Sequence, residues 1–458
     1  MARMNVKVKA VKPAAVFTHE GALASKINPM QQLRRLVLSC MLFEGTFYVD
    51  GKSSVQAIDE AVADVLSKTK NGPREIAELA VEVRTEGKLR HAPLYLTLGL
   101  IRAGNQKTEL GKKCREVVAD TLTRVIQRPD ELAEIVAMYW EKKKYPLSAQ
   151  MKKGLAAAFN KFNEYSLSKY ANREGKVSLR DVLFLCHARP KDADQAALWK
   201  KLAEKQLSSP DTWEVNLSAG ADKKETFSRL LMEKKLGALA LLRNLRNMQQ
   251  SKVPDDLIRQ GLKEMSVERV LPFRFISAAK YAPNLEPELE DAMYKCLQGA
   301  EKLPGKTVLM IDNSGSMYGQ NVSAKSEIDR SDAACALAML LRETCEKAEI
   351  VVFSDRAATV PPRRGFALRD AIKKAVPVSG TYTEMGKKMA DGLGYDRLII
   401  FTDEQSHTTL SNPLTGSRGY VINVANYKHG IGYGKWVHID GFSESCVDFI
   451  QHYEGIGE

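Results

Sequence analysis

The run Thr307-Val308-Leu309-Met310-Ile311 ends on Asp312-Asn313-Ser314-Gly315-Ser316, and that junction constrains the fold more than any other stretch of the chain. The first five residues read as a buried strand. The next five supply one carboxylate and two hydroxyls at alternate positions, with a glycine that lets the loop turn. Hard divalent cations such as Mg²⁺ take oxygen ligands in a near-octahedral array, and open α/β sheets bind their ligands at the carboxyl ends of strands. The last third is therefore expected to be an α/β domain. It is expected to hold one divalent cation, Mg²⁺, with a coordination position open to an anionic oxygen from a partner.

Two downstream segments complete the set. Gly380-Thr381 lies between a basic helical stretch, 367–375, and a helix beginning near Glu384. Thr381 offers a third hydroxyl, with Thr383 a competing candidate. Asp403 follows the strand-like run 397–402 and offers a second carboxylate. The plain alternative is that Ser314 and Ser316 cap the next helix, but capping does not require Asp312, Thr381 and Asp403 as well. Three oxygen-bearing loops in this order resemble the metal-ion-dependent adhesion site of von Willebrand factor A-like domains. The expected metal ligands are Asp312, Ser314, Ser316, Thr381 and Asp403.

Upstream the pattern is helical. Residues 31–42, 73–84, 92–102, 130–141, 148–162, 179–187, 227–248 and 287–298 have helix-like apolar spacing. Short connectors such as Asn71-Gly72-Pro73, Arg128-Pro129-Asp130, Ser209-Pro210-Asp211 and Val253-Pro254-Asp255 separate them. Many helix pairs without a strand pattern suggest an α-solenoid of HEAT-like pairs. From Thr307 the period changes. Strands at 307–311, 349–353, 397–402, 419–424 and 436–439 alternate with helices at 329–347, 366–375, 384–392 and 444–453, a doubly wound, Rossmann-like pattern. The expected division is 1–303 and 304–458. The stretch Gly299 to Thr307 (GAEKLPGKT) imitates a phosphate-binding loop, but it has five residues between its glycines and precedes a strand instead of opening a helix.

Charge divides along the same line. From Pro304 onward there are 17 Lys+Arg against 19 Asp+Glu, out of 68 and 56 in the whole chain, so residues 1–303 hold 51 and 37, a surplus of 14 positive charges. A field of that sign attracts polyanions and supports salt-sensitive nucleic-acid binding; lysines that keep a helical surface hydrated are the equal alternative. The seven cysteines are scattered without a C-x-x-C, so neither zinc nor a disulfide framework is indicated and a reduced cytoplasmic compartment is expected. The basic start, Met1 to Lys7, lacks the apolar core of a secretion signal. No apolar run approaches the ~18 residues of a membrane span.

Several segments in order resemble the Ro autoantigen (TROVE) family of RNA-binding proteins, in its bacterial or phage-type form. They are His19-Glu20-Gly21, Pro29 to Leu36 (PMQQLRRL), Glu44 to Tyr48 (EGTFY), Ser178 to His187 (SLRDVLFLCH), Trp213-Glu214, Leu236 to Met248 (LGALALLRNLRNM) and Leu271 to Phe275 (LPFRF). His19 and Ala22 stand where asparagine and glycine are commoner in the family. The resemblance implies a HEAT-repeat ring closed by the metal-site domain. It implies small non-coding Y RNA on the outer face, single-stranded 3′ ends of misfolded RNA in the central hole, and an exoribonuclease tethered through the RNA. No membrane and no DNA are expected, and the protein itself is expected to be a monomer.

The family's Y RNA contacts match Lys169, Arg173 and His187, with one residue inserted between the last two. Lys169 and Arg173 are four apart and share a face if helical; His187 closes a helix, where its ring either contacts RNA or caps carbonyls. Arg243 and Arg246 lie three apart beside Asn244 and Asn247, opposite a stripe of Leu239, Leu242 and Leu245. They suit phosphates and bases, or equally ties between helices. Arg34, Arg35 and Arg274 carry the same ambiguity, and Lys142-Lys143-Lys144 reads as a solvated helix end, with an addition to the phosphate field as the alternative. The leading expectation is a non-catalytic RNA-binding protein. One rival is a cytosolic adhesion-type module whose metal grips a partner's carboxylate. The other is a metal-dependent phosphohydrolase using Asp312, Asp403 and Asp355, with His407 nearby. Two-metal hydrolysis needs clustered carboxylates, and no recognisable general-base motif is present.

Overall fold

Among the described residues every element from Pro29 to Cys296 is a helix, and the main sheet begins at Leu303. The computed structural model describes residues 16–17, 20–26, 28–39, 54–85, 89–171, 175–267, 270, 273–298, 301–319, 328–425, 429–440 and 445–454.

Local chemistry sets the helix starts. Thr108, Ser148, Asp192 and Asp222 each accept a backbone N–H from three residues on. Ser178 and Asp181 form a reciprocal capping box at the helix Leu179–Cys186. Packing then joins the helices. A Cβ on Gly154 would come within 2.8 Å of the Ala119 carbonyl, so Ala149–Phe159 lies directly on Glu109–Val125. Glu131 is fully buried and accepts from Arg84 at 2.7 Å and from the Gln127 and Arg128 amides. One apolar cluster runs from Leu33 to Leu202. A second begins at Phe227 and continues into one face of the sheet. The ion pair Lys169–Glu214 ties the helix Glu164–Ala171 to the helix Trp213–Ser218.

Among the described residues the strands are β1 (Val16–Phe17), β2 (Leu23–Lys26), β3 (Leu303–Asp312), β4 (Cys345–Phe353), β5 (Ala357–Val360), β6 (Arg397–Thr402), β7 (Arg418–Asn423), β8 (His429–Gly430) and β9 (Val437–Asp440). The main sheet has six strands in the order β5-β4-β3-β6-β7-β9, parallel except for β5, which runs antiparallel to β4. Successive residues of β3 serve opposite layers, as a strand's period of two requires. Leu309 and Ile311 pack with the helices Arg330–Thr344 and Gly365–Ala375, whereas Val308 and Met310 pack toward Thr383–Leu393. The sheet is thus helix-covered on both faces but mixed, where the sequence reading had only a doubly wound set. β5 escaped that reading because it is only four residues long and buries only Val360. Gly305-Lys306-Thr307 lies inside β3, as the rejection of a phosphate loop requires.

Residues 1–303, expected as helix pairs without a strand pattern, also hold the short strands β1 and β2. β1 pairs with β2, and β2 pairs with β8, so residues near the start hydrogen-bond to residues near the end. The helix Pro29–Ser39 lies against β9, Phe273–Tyr281 against Arg330–Thr344, and Glu286–Cys296 against Gly365–Ala375. Lys280–Asp332 at 2.9 Å and Arg369–Glu286 at 3.0 Å tie the returning helices down. The helical path therefore leaves the sheet and comes back to it.

The expected single helix at 227–248 is two, Lys223–Met232 and Ala238–Gln250. Lys234 between them takes a left-handed φ of 54° and Gly237 caps the second helix. Residues 40–42 of the expected 31–42 helix and the segment Glu44 to Tyr48 lie outside the described residues. Among the described residues no helix is long and apolar enough to cross a membrane.

Candidate functional site

Adjacent strands build the first site. β3 and β6 pair with Ile311 opposite Phe401, which sets Asp312 beside Thr402. The Thr402 hydroxyl donates to Asp312 Oδ2 at 2.6 Å, and the Ser314 amide donates to Asp312 Oδ1 at 2.8 Å. Gly315 N–H donates to the Ser379 carbonyl at 2.9 Å, which draws the 379–381 loop against the serine loop. The Thr381 carbonyl accepts the His407 amide at 2.8 Å and the Ser406 hydroxyl at 3.2 Å, which brings in the segment after Asp403. Ser314 Oγ and Ser316 Oγ stand 3.3 Å apart. Three loops thus gather Asp312, Ser314, Ser316, Thr381 and Asp403 at the carboxyl end of the central strands. Ser316 is half-buried and the other four are buried.

The electrostatics of this cluster are unbalanced. Burial, then the charge of Asp403, push the Asp312 carboxyl up to about 7. Burial also raises Asp403. Asp403 Oδ2 has no hydrogen-bond partner among the described residues, and Arg330 Nη1 stands 3.8 Å from it. Two buried carboxylates with one distant guanidinium, ringed by hydroxyls, fit a hard divalent cation that prefers oxygen and tolerates few charges. Among the described residues no three or more His, Cys, Asp or Glu side chains converge as a metal cluster, so the fit depends on the hydroxyls.

Thr383 Oγ1 is fully buried without a hydrogen-bond partner among the described residues, which keeps it in competition with Thr381. Asp355 accepts from Ser354 Oγ and pairs with Arg356. The His407 ring stacks on Tyr382 at 4.8 Å, and its Nε2 lies 3.1 Å from Glu20. Arg330 and Thr402 were not singled out from sequence. Each acts on a residue 70 or more positions away, and no local pattern announces such a contact.

The second candidate site lies on the helices. Lys169, near the end of Glu164–Ala171, pairs with Glu214 at 3.5 Å. His187 is exposed and closes Leu179–Cys186 in a left-handed conformation with φ 50°. Arg173 and the side chain of Arg35 lie outside the described residues. Arg243 and Arg246 are exposed on Ala238–Gln250, with Arg246 over the Tyr281 ring at 5.4 Å. The stripe opposite them is corrected: Leu241, Leu242 and Leu245 are buried, whereas Leu239 is exposed. Asn244 and Asn247 are also reassigned. Asn244 donates to the Ala240 carbonyl and Asn247 to Asn244, so both amides brace their own helix. Arg34 makes a two-pronged pair with Glu82.

Comparison with known proteins bears on both sites. Residues 200–379 match the family model of the TROVE domain, a span that takes in Arg243 and Arg246 as well as Asp312 and the loop up to Ser379. The chain is similar to the crystal structure of the Deinococcus radiodurans RO (RSR) protein. The TM-score is 0.59 at 16% identity, with 93% of this chain and 99% of that chain covered. At that identity the likeness speaks for the fold.

Proposed function

We propose that this chain, whose residues 200–379 match the TROVE-domain model, is a non-catalytic RNA-binding protein of the Ro family and of the cytoplasm. Residues 1–303 form a HEAT-like ring closed by a von Willebrand factor A-like domain, residues 304–458. The ring holds a small structured, Y-like RNA outside, through Lys169, Arg173 and His187. It admits single-stranded ends of misfolded RNA inside, past Arg243 and Arg246. An exoribonuclease tethered through the RNA is the partner suited to such ends.

The observation that carries this reading is the TROVE match at 200–379, on a helical path that starts and finishes against the sheet and holds the chain's entire basic surplus. A closed cationic path suits phosphate, whose neutralisation releases counterions and makes binding salt-dependent. Stem shape and exposed loops then supply selectivity.

The loops around Asp312 and Asp403 would hold one Mg²⁺ through Asp312, Ser314, Ser316, Thr381 and Asp403. When bound, that ion supplies Lewis acidity for an anionic oxygen from a partner. The chain's own part is to hold the two carboxylates rigid and out of water. The buried Asp403 Oδ2, without a hydrogen-bond partner among the described residues, favours a metal-dependent interaction module as the second role of this domain.

A gel shift with a structured small RNA at low and high salt tests the RNA reading. Binding at low salt that weakens steeply with added salt is expected. Absence of binding at low salt would favour the adhesion-type alternative, and RNA breakdown lost in Asp312→Ala would favour the phosphohydrolase.

A further inference from the structure

The helix Leu179–Cys186 shows solvent an unusual face. Arg180 and Phe184 are four apart and share one side of the helix, and His187 follows as its left-handed cap. Phe184 is 56% exposed, and the Arg180 guanidinium sits over its ring at 5.7 Å. A single exposed ring is ordinary, but this one has neighbours of the same kind. The helices Pro129–Tyr139 and Ala149–Phe159 both pack on Leu179–Cys186, and the loop joining them carries Lys142, Lys143, Lys144 and Tyr145.

That loop is held in shape. Trp140 Nε1 donates to the Tyr145 carbonyl at 2.7 Å, and Tyr139 OH donates to the Pro146 carbonyl at 3.2 Å. Tyr145 is 49% exposed, with Lys143 Nζ 5.8 Å from its ring centre, and Lys144 Nζ lies 5.5 Å from the Trp140 ring. The acidic neighbour Asp181 is turned into the capping box by the Ser178 amide and hydroxyl. Those Ser178 bonds hold its carboxyl below the ordinary range, and Arg180 and Lys144 reinforce them, which puts both cations at the same corner.

Cations alternating with open rings match what unpaired nucleotides offer. Phosphates take the Lys and Arg charges, and bases stack on rings regardless of sequence. We propose that the Phe184 face and the Lys143–Tyr145 loop form a stacking platform for unpaired nucleotides of a bound RNA, beside the stem contacts of Lys169 and His187. The three lysines are then part of a site and not only a hydrated helix end. The platform rests on the RNA-binding reading above and adds a substrate feature to it: single-stranded nucleotides flanking a duplex.

The test measures affinity for a blunt-ended RNA duplex and for the same duplex with an internal unpaired uridine-rich bulge, which offers the central hole no free end. The wild-type chain is expected to favour the bulged RNA by about tenfold, the scale of a single base–aromatic stack. Phe184→Ala and Tyr145→Ala are expected to lose most of that preference, and Phe184→Trp to keep it. The Phe184 ring is open to solvent, so the melting temperature of F184A should match wild type. Equal wild-type affinity for both RNAs, or an unchanged preference in F184A and Y145A, overturns the platform and leaves RNA binding standing. Failure of the wild type to bind either RNA at low salt overturns the RNA reading itself.

Discussion

Arg330 Nη1 lies 3.8 Å from Asp403 Oδ2 and also donates to the Ser316 carbonyl at 3.4 Å. A guanidinium therefore stands at the edge of the cluster that would hold a divalent ion. Like charges at such range repel strongly when water is excluded. Arg330→Gln is expected to tighten Mg²⁺ or Mn²⁺ binding by about tenfold in calorimetry. Weaker binding in R330Q would mean that Arg330 supports the loops more than it competes with the ion.

Asp312 sets the pH response. Its folded value of about 7 lies above the roughly 3.9 of an unfolded aspartate. In the ion-free protein the stability tied to this group is complete below the unfolded value and is lost as pH rises through the folded one. A divalent ion demands the ionised form and so reverses the trend. The gain in melting temperature on adding Mg²⁺ should grow between about pH 6 and 8. A gain independent of pH, or none, would count against the assigned ligands.

Asp312→Ala separates the two sites. It should abolish divalent binding in calorimetry while RNA affinity is largely retained, because the basic surplus lies in residues 1–303. Joint loss of both would make the metal part of the RNA site.

Glu454 anchors the final helix to the sheet. It accepts from Arg397 Nε at 2.7 Å and from Tyr420 OH at 2.7 Å, and Arg397 in turn donates to Thr307 Oγ1 at 2.8 Å. Burial opposes ionisation of Glu454, but the Arg397 and Tyr420 hydrogen bonds and the Arg397 charge outweigh it and hold the carboxyl below its ordinary range. Its contribution is therefore present above the unfolded value and lost as pH falls through the folded one. Glu454→Ala strands the buried Arg397 and should cost about 3–5 kcal/mol in urea unfolding near neutral pH. A cost below about 1 kcal/mol would place the pair among weak surface bridges.

Lys169→Ala and His187→Ala should each weaken binding of a Y-like RNA without unfolding the chain, since His187 is exposed and Lys169 only half-buried. Lys169 already has Glu214 as a partner, so Glu214→Ala should leave RNA affinity unchanged or raise it. Unchanged binding in both K169A and H187A would remove the outer-surface assignment.

What the sequence made legible follows from how local each signal is. β6 falls on the expected 397–402 because buried parallel strands are continuous apolar runs. Asp312, Ser314 and Ser316 lie within five residues, so their chemistry could be read directly. The helix break at Lys234 was hidden because apolar spacing runs on through Leu236 and Leu241, while the left-handed turn depends on backbone geometry. β1 and β2 were missed because their meaning comes from β8, some four hundred residues away. The Arg330–Asp403 contact was invisible for the same reason, whereas Asn244 and Asn247 find their partners within four residues, a choice of rotamer that no residue pattern announces.

The central proposal is a cationic helical path gripping RNA backbone, and the most direct measurement is the salt dependence of RNA affinity in the intact chain and in an Arg243→Ala/Arg246→Ala variant. The wild type should lose affinity steeply and linearly on logarithmic axes. The variant should show a slope shallower by about one to two units, at roughly 0.7–0.9 for each phosphate that is no longer neutralised. A wild-type affinity that ignores salt, or a slope identical in the variant, would contradict, respectively, backbone gripping by this path or the part assigned to these two arginines.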